Sequence, residues 1–331
     1  MTYIHVTALV IPAALVIVAA FAFGQAVPAP KAGGIVVKIP STLDKTPQLA
    51  IFHCPDAAKP DAKGEAVPLL VGLHTWSDDY QQDNGYVREG AKRGWVVIQP
   101  NFRGPNMRPE ACASDLAIQD VLDAVAYACE NAKVDRRRIY LVGVSGGGHM
   151  GLMMAAKAPK LWAGVSVWVP VGDLAAWHAS LTRPDLAGYR AQVEKIIGGK
   201  PGSPGPDAEL KKRSPDTFLS EAKGLPVDVN TGITDGHTGS VPVEQSLRAF
   251  NILAVANGHP EAKLADADIR VMTDEQKIPE ALKGPYESEP NRAQKLLFRR
   301  QAGPARITVF KGGHSMDLPV ALDWLAKQSL K

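Results

Sequence analysis

Short, continuously apolar runs recur along the chain, each separated from the next by a stretch with a different rhythm. The runs are Pro68-Leu69-Leu70-Val71-Gly72-Leu73-His74, Trp95–Gln99, Ile139–Val142, Trp162–Val169, Pro226–Thr231 and Arg306–Phe310. A run that is apolar at nearly every position marks a strand buried on both faces. Between the runs, residues 80–93 carry a polar helical pattern, and Ser114–Ala132 sets Leu116, Val121, Leu122, Val125 and Ala126 largely on one side of a helix. Further helices are expected from the glycines after Val144 to about Ala158, over Ala187–Ile197, over Val243–Asn257 and over Asp317–Lys327, the last with Leu318, Leu322 and Leu325 inward. Gly34–Pro40 and Gln48–His53 read as an opening antiparallel pair. Strands alternating with helices in this way predict an α/β fold, a mostly parallel sheet covered by helices on both faces.

Two stretches break the rhythm. Residues 173–223 hold Trp177 and a loop with five glycines and prolines between 199 and 205, and are expected to form a partial lid over the strand ends. Residues 258–305 are a long charged connection with helical pieces, read as an insertion. The remainder, 34–331, is expected to be one α/β domain.

Composition adds limits. The chain has 331 residues, 45% apolar and 21% charged, enough to bury a sizeable core. A net charge of +3 is too small to argue for nucleic acid, and Arg136–Arg138 and Lys211–Arg213 are expected on solvated turns. Residues 8–23 are an uncharged apolar run followed by small residues at Gly24-Gln25-Ala26, so 1–26 is expected to be a signal peptide and 27–33 a linker. The alternative is an uncleaved N-terminal anchor, the chain's only expected contact with a membrane. Either way the domain is expected outside the cytoplasm, secreted or periplasmic. Cys54, Cys112 and Cys129 would allow one disulfide there, though Cys112 and Cys129 flank a helix whose length keeps them apart. No Cys/His grouping has zinc-ligand spacing, so a structural metal is not expected; no cofactor is expected either.

The candidate chemistry centres on Gly143-Val144-Ser145-Gly146-Gly147, which follows a strand and opens a helix. In that context G-x-S-x-G reads as a nucleophile elbow: a tight turn that lifts a serine hydroxyl clear of the sheet. A serine hydroxyl needs a base. His314, in Gly312-Gly313-His314 just after the last strand, is the candidate among eight histidines. His149 lies too near the elbow, and His74 is expected to shape its own loop. The acid that orients the imidazole is expected at Asp235, just past the Pro226–Thr231 strand, in preference to Asp228 within it and to Asp317, which starts the last helix. Chain order Ser, Asp, His is that of the α/β-hydrolase fold. Gly146 supplies one oxyanion amide; the second comes from the loop after His74, where spacing does not choose between Thr75 and Trp76, and Thr75 is taken as its partner. Trp76 and Trp177 are candidates to line a substrate pocket.

With these residues in hand, the chain resembles the prolyl oligopeptidase family. The resemblance covers about residues 66–328. It rests on Val97-Ile98-Gln99-Pro100-Asn101-Phe102-Arg103-Gly104, the elbow, Gly198-Gly199-Lys200-Pro201-Gly202, Arg213-Ser214-Pro215, Gly232-Ile233-Thr234-Asp235 with Val241-Pro242, and Gly312-Gly313-His314. It implies a serine hydrolase with Ser145, Asp235 and His314 as nucleophile, acid and base. The departures are the β-propeller usual in the family, which is not expected here because only about forty residues separate the expected leader from the core, the absence of the glycine that usually follows His74, and an insertion at 236–241. The expected substrate is a small ester or a short peptide, cleaved through an acyl-enzyme. Loss of the propeller opens a carboxylesterase or carbohydrate acetylesterase reading beside the peptidase one, and a non-catalytic binding protein stands as the third.

Overall fold

The computed structural model describes residues 33–286 and 289–331; the expected leader, and the linker apart from Gly33, lie outside them. Among the described residues nine strands form a single sheet: β1 (Ile35–Pro40), β2 (Pro47–His53), β3 (Val67–Leu73), β4 (Val96–Pro100), β5 (Val134–Val144), β6 (Gly164–Trp168), β7 (Val227–Gly232), β8 (Leu296–Ala302) and β9 (Ala305–Phe310). Their order is β1-β2-β4-β3-β5-β6-β7-β9-β8. The six from β4 to β9 in that order are parallel, while β1, β2 and β8 add antiparallel edges. This is the α/β-hydrolase arrangement.

Alternation along each central strand divides the core in two. Leu69 and Val71 of β3 point to one face with Leu141, Val165 and Val167; Leu70 points to the other with Tyr140 and Val142. The first face is covered by α2 (Asp115–Asn131), α3 (Gly146–Lys157) and α7 (Val243–Ala256) through Val121, Leu152 and Phe250. The second is covered by α1 (Tyr86–Lys92) and α9 (Leu318–Leu325) through Tyr86, Val87 and Leu322. Phe250 is fully buried, so truncating it to alanine costs about 3–5 kcal/mol.

The rhythm-breaking stretch folds as α4 (Leu174–Ser180), α5 (Ala187–Ile197) and α6 (Pro204–Arg213). They share a third apolar cluster of Trp76, Leu174, Trp177, Val193, Ile197 and Leu210. Among the described residues, no helix is long and apolar enough to cross a membrane.

Several expectations are corrected. The 258–305 stretch contains α8 (Asp266–Asp274) and also β8, an edge strand whose Arg299 and Arg300 hid it from an apolar-run reading. Arg136–Arg138 belong to β5, and Lys211–Arg213 end α6. Arg213 is buried: its Nη1 donates to the carbonyls of Ala111 (3.1 Å) and Cys112 (3.2 Å). It thereby satisfies a stretch that Cys112 and Ala113 traverse at φ 44° and 53°. The three cysteines are free thiols. Asp317 precedes α9, but its carboxylate accepts from the Ala293 amide (2.7 Å) rather than capping the helix.

Candidate active site

β3 to β4 runs toward one edge of the sheet and β5 to β6 toward the other, so the loops after β3 and β5 diverge and leave a crevice at the strand ends. Ser145 stands in it, between β5 and α3. Its backbone sits at φ 57°, ψ −120°, a conformation L-residues avoid at about 1–3 kcal/mol. Its amide is tied to the Trp168 carbonyl (2.9 Å). The turn requires glycine on both sides. A Cβ on Gly143 would overlap the Gly147 carbonyl, and one on Gly146 would fall on the Trp76 amide nitrogen.

The loops after β7 and β9 are zipped together. Ile233 and Thr234 donate amides to the carbonyls of Phe310 and Gly312, each at 3.0 Å, and the Thr234 hydroxyl donates to Gly312 as well (2.9 Å). This brings Asp235 against His314, with Asp235 Oδ2 2.7 Å from His314 Nδ1. Asp235 Oδ1 accepts from the amides of Gly236 (2.9 Å) and Val241 (3.2 Å). The carboxylate is buried, and both of its oxygens are satisfied. The charge-assisted bond to Nδ1 fixes the ring so that Nε2 is its free nitrogen. Ser145, His314, Thr75 and Trp76 line one cleft of about 480 Å3, together with Arg88, Tyr189 and Met316.

Asp228, the rejected competitor, lies within β7 and is wholly occupied. Arg306 Nε sits at 2.5 Å, Ser166 Oγ at 2.9 Å and Asn230 Nδ2 at 2.8 Å. His74 lies between the carbonyls of Thr75 (2.8 Å) and Asn101 (2.9 Å), stacked on Phe102. His149 is sealed beneath the elbow with Nδ1 2.9 Å from the Val171 carbonyl, and burial pushes its pKa down to about 4, so it is neutral.

Two assignments change. The Thr75 amide donates to Gln82 Oε1 (2.8 Å), and Gln82 Nε2 returns a bond to the Thr75 hydroxyl (2.9 Å). It is therefore engaged, whereas the Trp76 amide, packed on Gly146, has no acceptor among the described residues. Gln82 was not singled out in the sequence, and nothing in its spacing marks it. Trp177 is buried away from the cleft: it meets Trp76 edge-on at 4.7 Å, and its Nε1 donates to the Ser240 carbonyl (2.7 Å). Trp76 does line the cleft.

Comparison with known proteins bears on the family and the fold. The profile of the prolyl oligopeptidase family matches residues 84–275. The dipeptidyl aminopeptidase BIII of Pseudoxanthomonas mexicana is 26% identical over 58% of this chain, which spans only 29% of that protein. The S-formylglutathione hydrolase of Rattus norvegicus is 26% identical over 54% of this chain and 73% of its own length. The uncomplexed Pyrococcus horikoshii acylaminoacyl peptidase superposes with a TM-score of 0.58 at 15% identity, covering 88% of this chain and 41% of that one. A fluorophosphonate-binding serine hydrolase of Staphylococcus aureus superposes at 0.57 and 14% identity, covering 89% and 100%. At these identities the superpositions speak for a shared fold.

Proposed function

The chain belongs to the prolyl oligopeptidase family of serine hydrolases, and on that footing we propose that it is an exported hydrolase that cleaves a small ester or short peptide through an acyl-enzyme. The observation that carries this reading is the cleft itself: Ser145, on a strained turn, and His314, held by Asp235, open onto the same space.

In the proposed reaction Ser145 Oγ attacks the substrate carbonyl while His314 Nε2 takes its proton. Asp235 keeps the ring's other proton on Nδ1 and stabilises the imidazolium that forms. The tetrahedral oxyanion is held by the amides of Gly146 and Trp76, aided by the N-terminus of α3. The imidazolium then protonates the leaving group, the bond to it breaks, and Ser145 is left acylated. Water, deprotonated by His314, reverses the sequence and frees the acid.

One observation favours the ester side: the chain aligns with 73% of the rat S-formylglutathione hydrolase but with only 29% of the dipeptidyl aminopeptidase. Export rests on the apolar run at 8–23. A panel of 4-nitrophenyl esters, acetylated sugars and Gly-Pro amides tests the reading. Turnover of at least one class is expected, falling by about 10^6-fold in Ser145→Ala with the fold kept. Full activity in that variant would overturn it.

A further inference from the structure

The 236–241 insertion follows Asp235 directly, and two residues of the helical cover grip it. Arg183, between α4 and α5, directs Nη1 at the carbonyls of Gly236 (3.3 Å), His237 (2.6 Å) and Gly239 (3.0 Å). Its other two nitrogens are held by Asp185, Nε to Oδ1 at 3.1 Å and Nη2 to Oδ2 at 2.5 Å, so the fork is aimed before it meets the loop. Trp177 of α4 donates to the fourth carbonyl, that of Ser240 (2.7 Å). On its inner side the same loop supplies both amides that hold Asp235 Oδ1. It lies so close that a Cβ on Gly239 would overlap Asp235 Oδ1 and come within 2.6 Å of His314 Cβ. The loop has no apolar side chain before Val241 to anchor it. The cover holds four of its backbone carbonyls; elsewhere His237 Nε2 lies 2.6 Å from the Thr273 carbonyl, and the Thr238 amide and hydroxyl donate to the Thr234 carbonyl.

We propose that Arg183 is a positioning residue for the Asp235–His314 pair, acting through the 236–241 loop, and that Trp177 does the same beside it. The inference rests on the hydrolase reading of that pair. Without the guanidinium, the carbonyls of Gly236, His237 and Gly239 turn to solvent, the Gly236 and Val241 amides drift, and Asp235 Oδ2 loses its fixed approach to Nδ1. Trp177 also packs on Trp76, whose amide faces the developing oxyanion, so the cover braces both sides of the reaction centre.

The test compares Arg183→Ala and Arg183→Lys with the wild-type full chain. A lysine keeps the charge but offers a single point rather than a fork, so it cannot hold Asp185 and the loop together. For both variants kcat is expected to fall about tenfold to a hundredfold with KM within about twofold, since the loss is of alignment and not of substrate contact. The acid limb of the kcat/KM profile should move to lower pH, because a loosened carboxylate stabilises the imidazolium less. The rate of fluorophosphonate labelling at Ser145 should fall in step. The Arg183 side chain is 34% exposed, so added guanidinium should reach the gap in Arg183→Ala and restore activity where an equal concentration of sodium chloride does not.

Folded Arg183→Lys with wild-type kcat and labelling rate would overturn the proposal. So would a loss with an unmoved pH profile and no guanidinium rescue, which marks a merely structural role. If the wild type itself is not labelled at Ser145, the hydrolase reading fails and this one with it. If the wild type is labelled and the variants are labelled equally fast, only the positioning role fails.

Discussion

Replacing Asp235 by asparagine changes one oxygen for an NH2 group, and the surroundings decide which way the amide turns. Oδ1 of the native carboxylate accepts from two backbone amides, Gly236 at 2.9 Å and Val241 at 3.2 Å, and Oδ2 faces His314 Nδ1 at 2.7 Å. With its oxygen toward the backbone, asparagine keeps both amide bonds and presents NH2 to His314. The ring must then accept at Nδ1 and carry its proton on Nε2, the nitrogen that has to take the serine proton. The opposite orientation restores the productive tautomer but sets NH2 against two backbone N–H groups, leaving both unsatisfied in a buried site. At about 1–3 kcal/mol for each unsatisfied donor, that orientation lies about 2–6 kcal/mol higher, a depletion of roughly 30-fold to 10^4-fold. The expected result is a fall in kcat of about 10^3–10^4, the scale such a change has in a comparable triad. Because the side chains are isosteric, the melting temperature should barely move. Ester turnover, with circular dichroism as the check on folding, is the assay. A folded Asp235→Asn variant within about tenfold of wild type would count against Asp235 as the acid, as would an equal loss of activity in a folded Asp228→Asn variant.

Other consequences concern groups away from the cleft. Asp216 has a sealed Oδ1 with no partner among the described residues, and burial with the neighbouring Asp173 carboxylate pushes its pKa up to about 7. The folded chain therefore keeps a proton that the unfolded chain loses near pH 4, so this group's contribution to stability declines as pH rises from about 4 to 7 and stays low above. Asp216→Asn should melt on the order of a few °C above wild type at pH 8, the gap closing toward pH 4 in thermal scans. Arg306→Met leaves the fully buried Asp228 without its 2.5 Å partner and should cost about 3–5 kcal/mol in urea unfolding; a loss below about 1 kcal/mol would contradict the pairing. Burial pushes the Cys112 thiol up to about 12, so a thiol reagent at pH 8 should label it only after denaturation, as peptide mapping would show.

Much of this fold was legible because its central strands are apolar on both faces. β3, β6 and β7 announce themselves as runs, and the turn after β5 needs its glycines in sequence order. Choosing Asp235 over Asp228 rested on the cost of an unpaired carboxylate inside a strand, and Asp228 does sit there with its charge matched by Arg306. β8 was invisible because an edge strand solvated on one side carries Arg299 and Arg300 where a central strand carries valine. The choice between the Thr75 and Trp76 amides depends on where Gln82 turns its side chain, a tertiary contact across seven residues with no periodic trace. Trp177 was misplaced for a related reason: an aromatic near the strand ends suits a pocket wall and a brace equally, and only the Ser240 carbonyl distinguishes them.

Whether Ser145 is the nucleophile of this cleft is decided by exposing the full chain to a fluorophosphonate probe and mapping the adduct by peptide mass spectrometry. A single adduct is expected, on Ser145, absent from Ser145→Ala and formed at least about 10^3-fold more slowly in His314→Ala. No adduct on folded protein, or an adduct on any other residue, would rule Ser145 out.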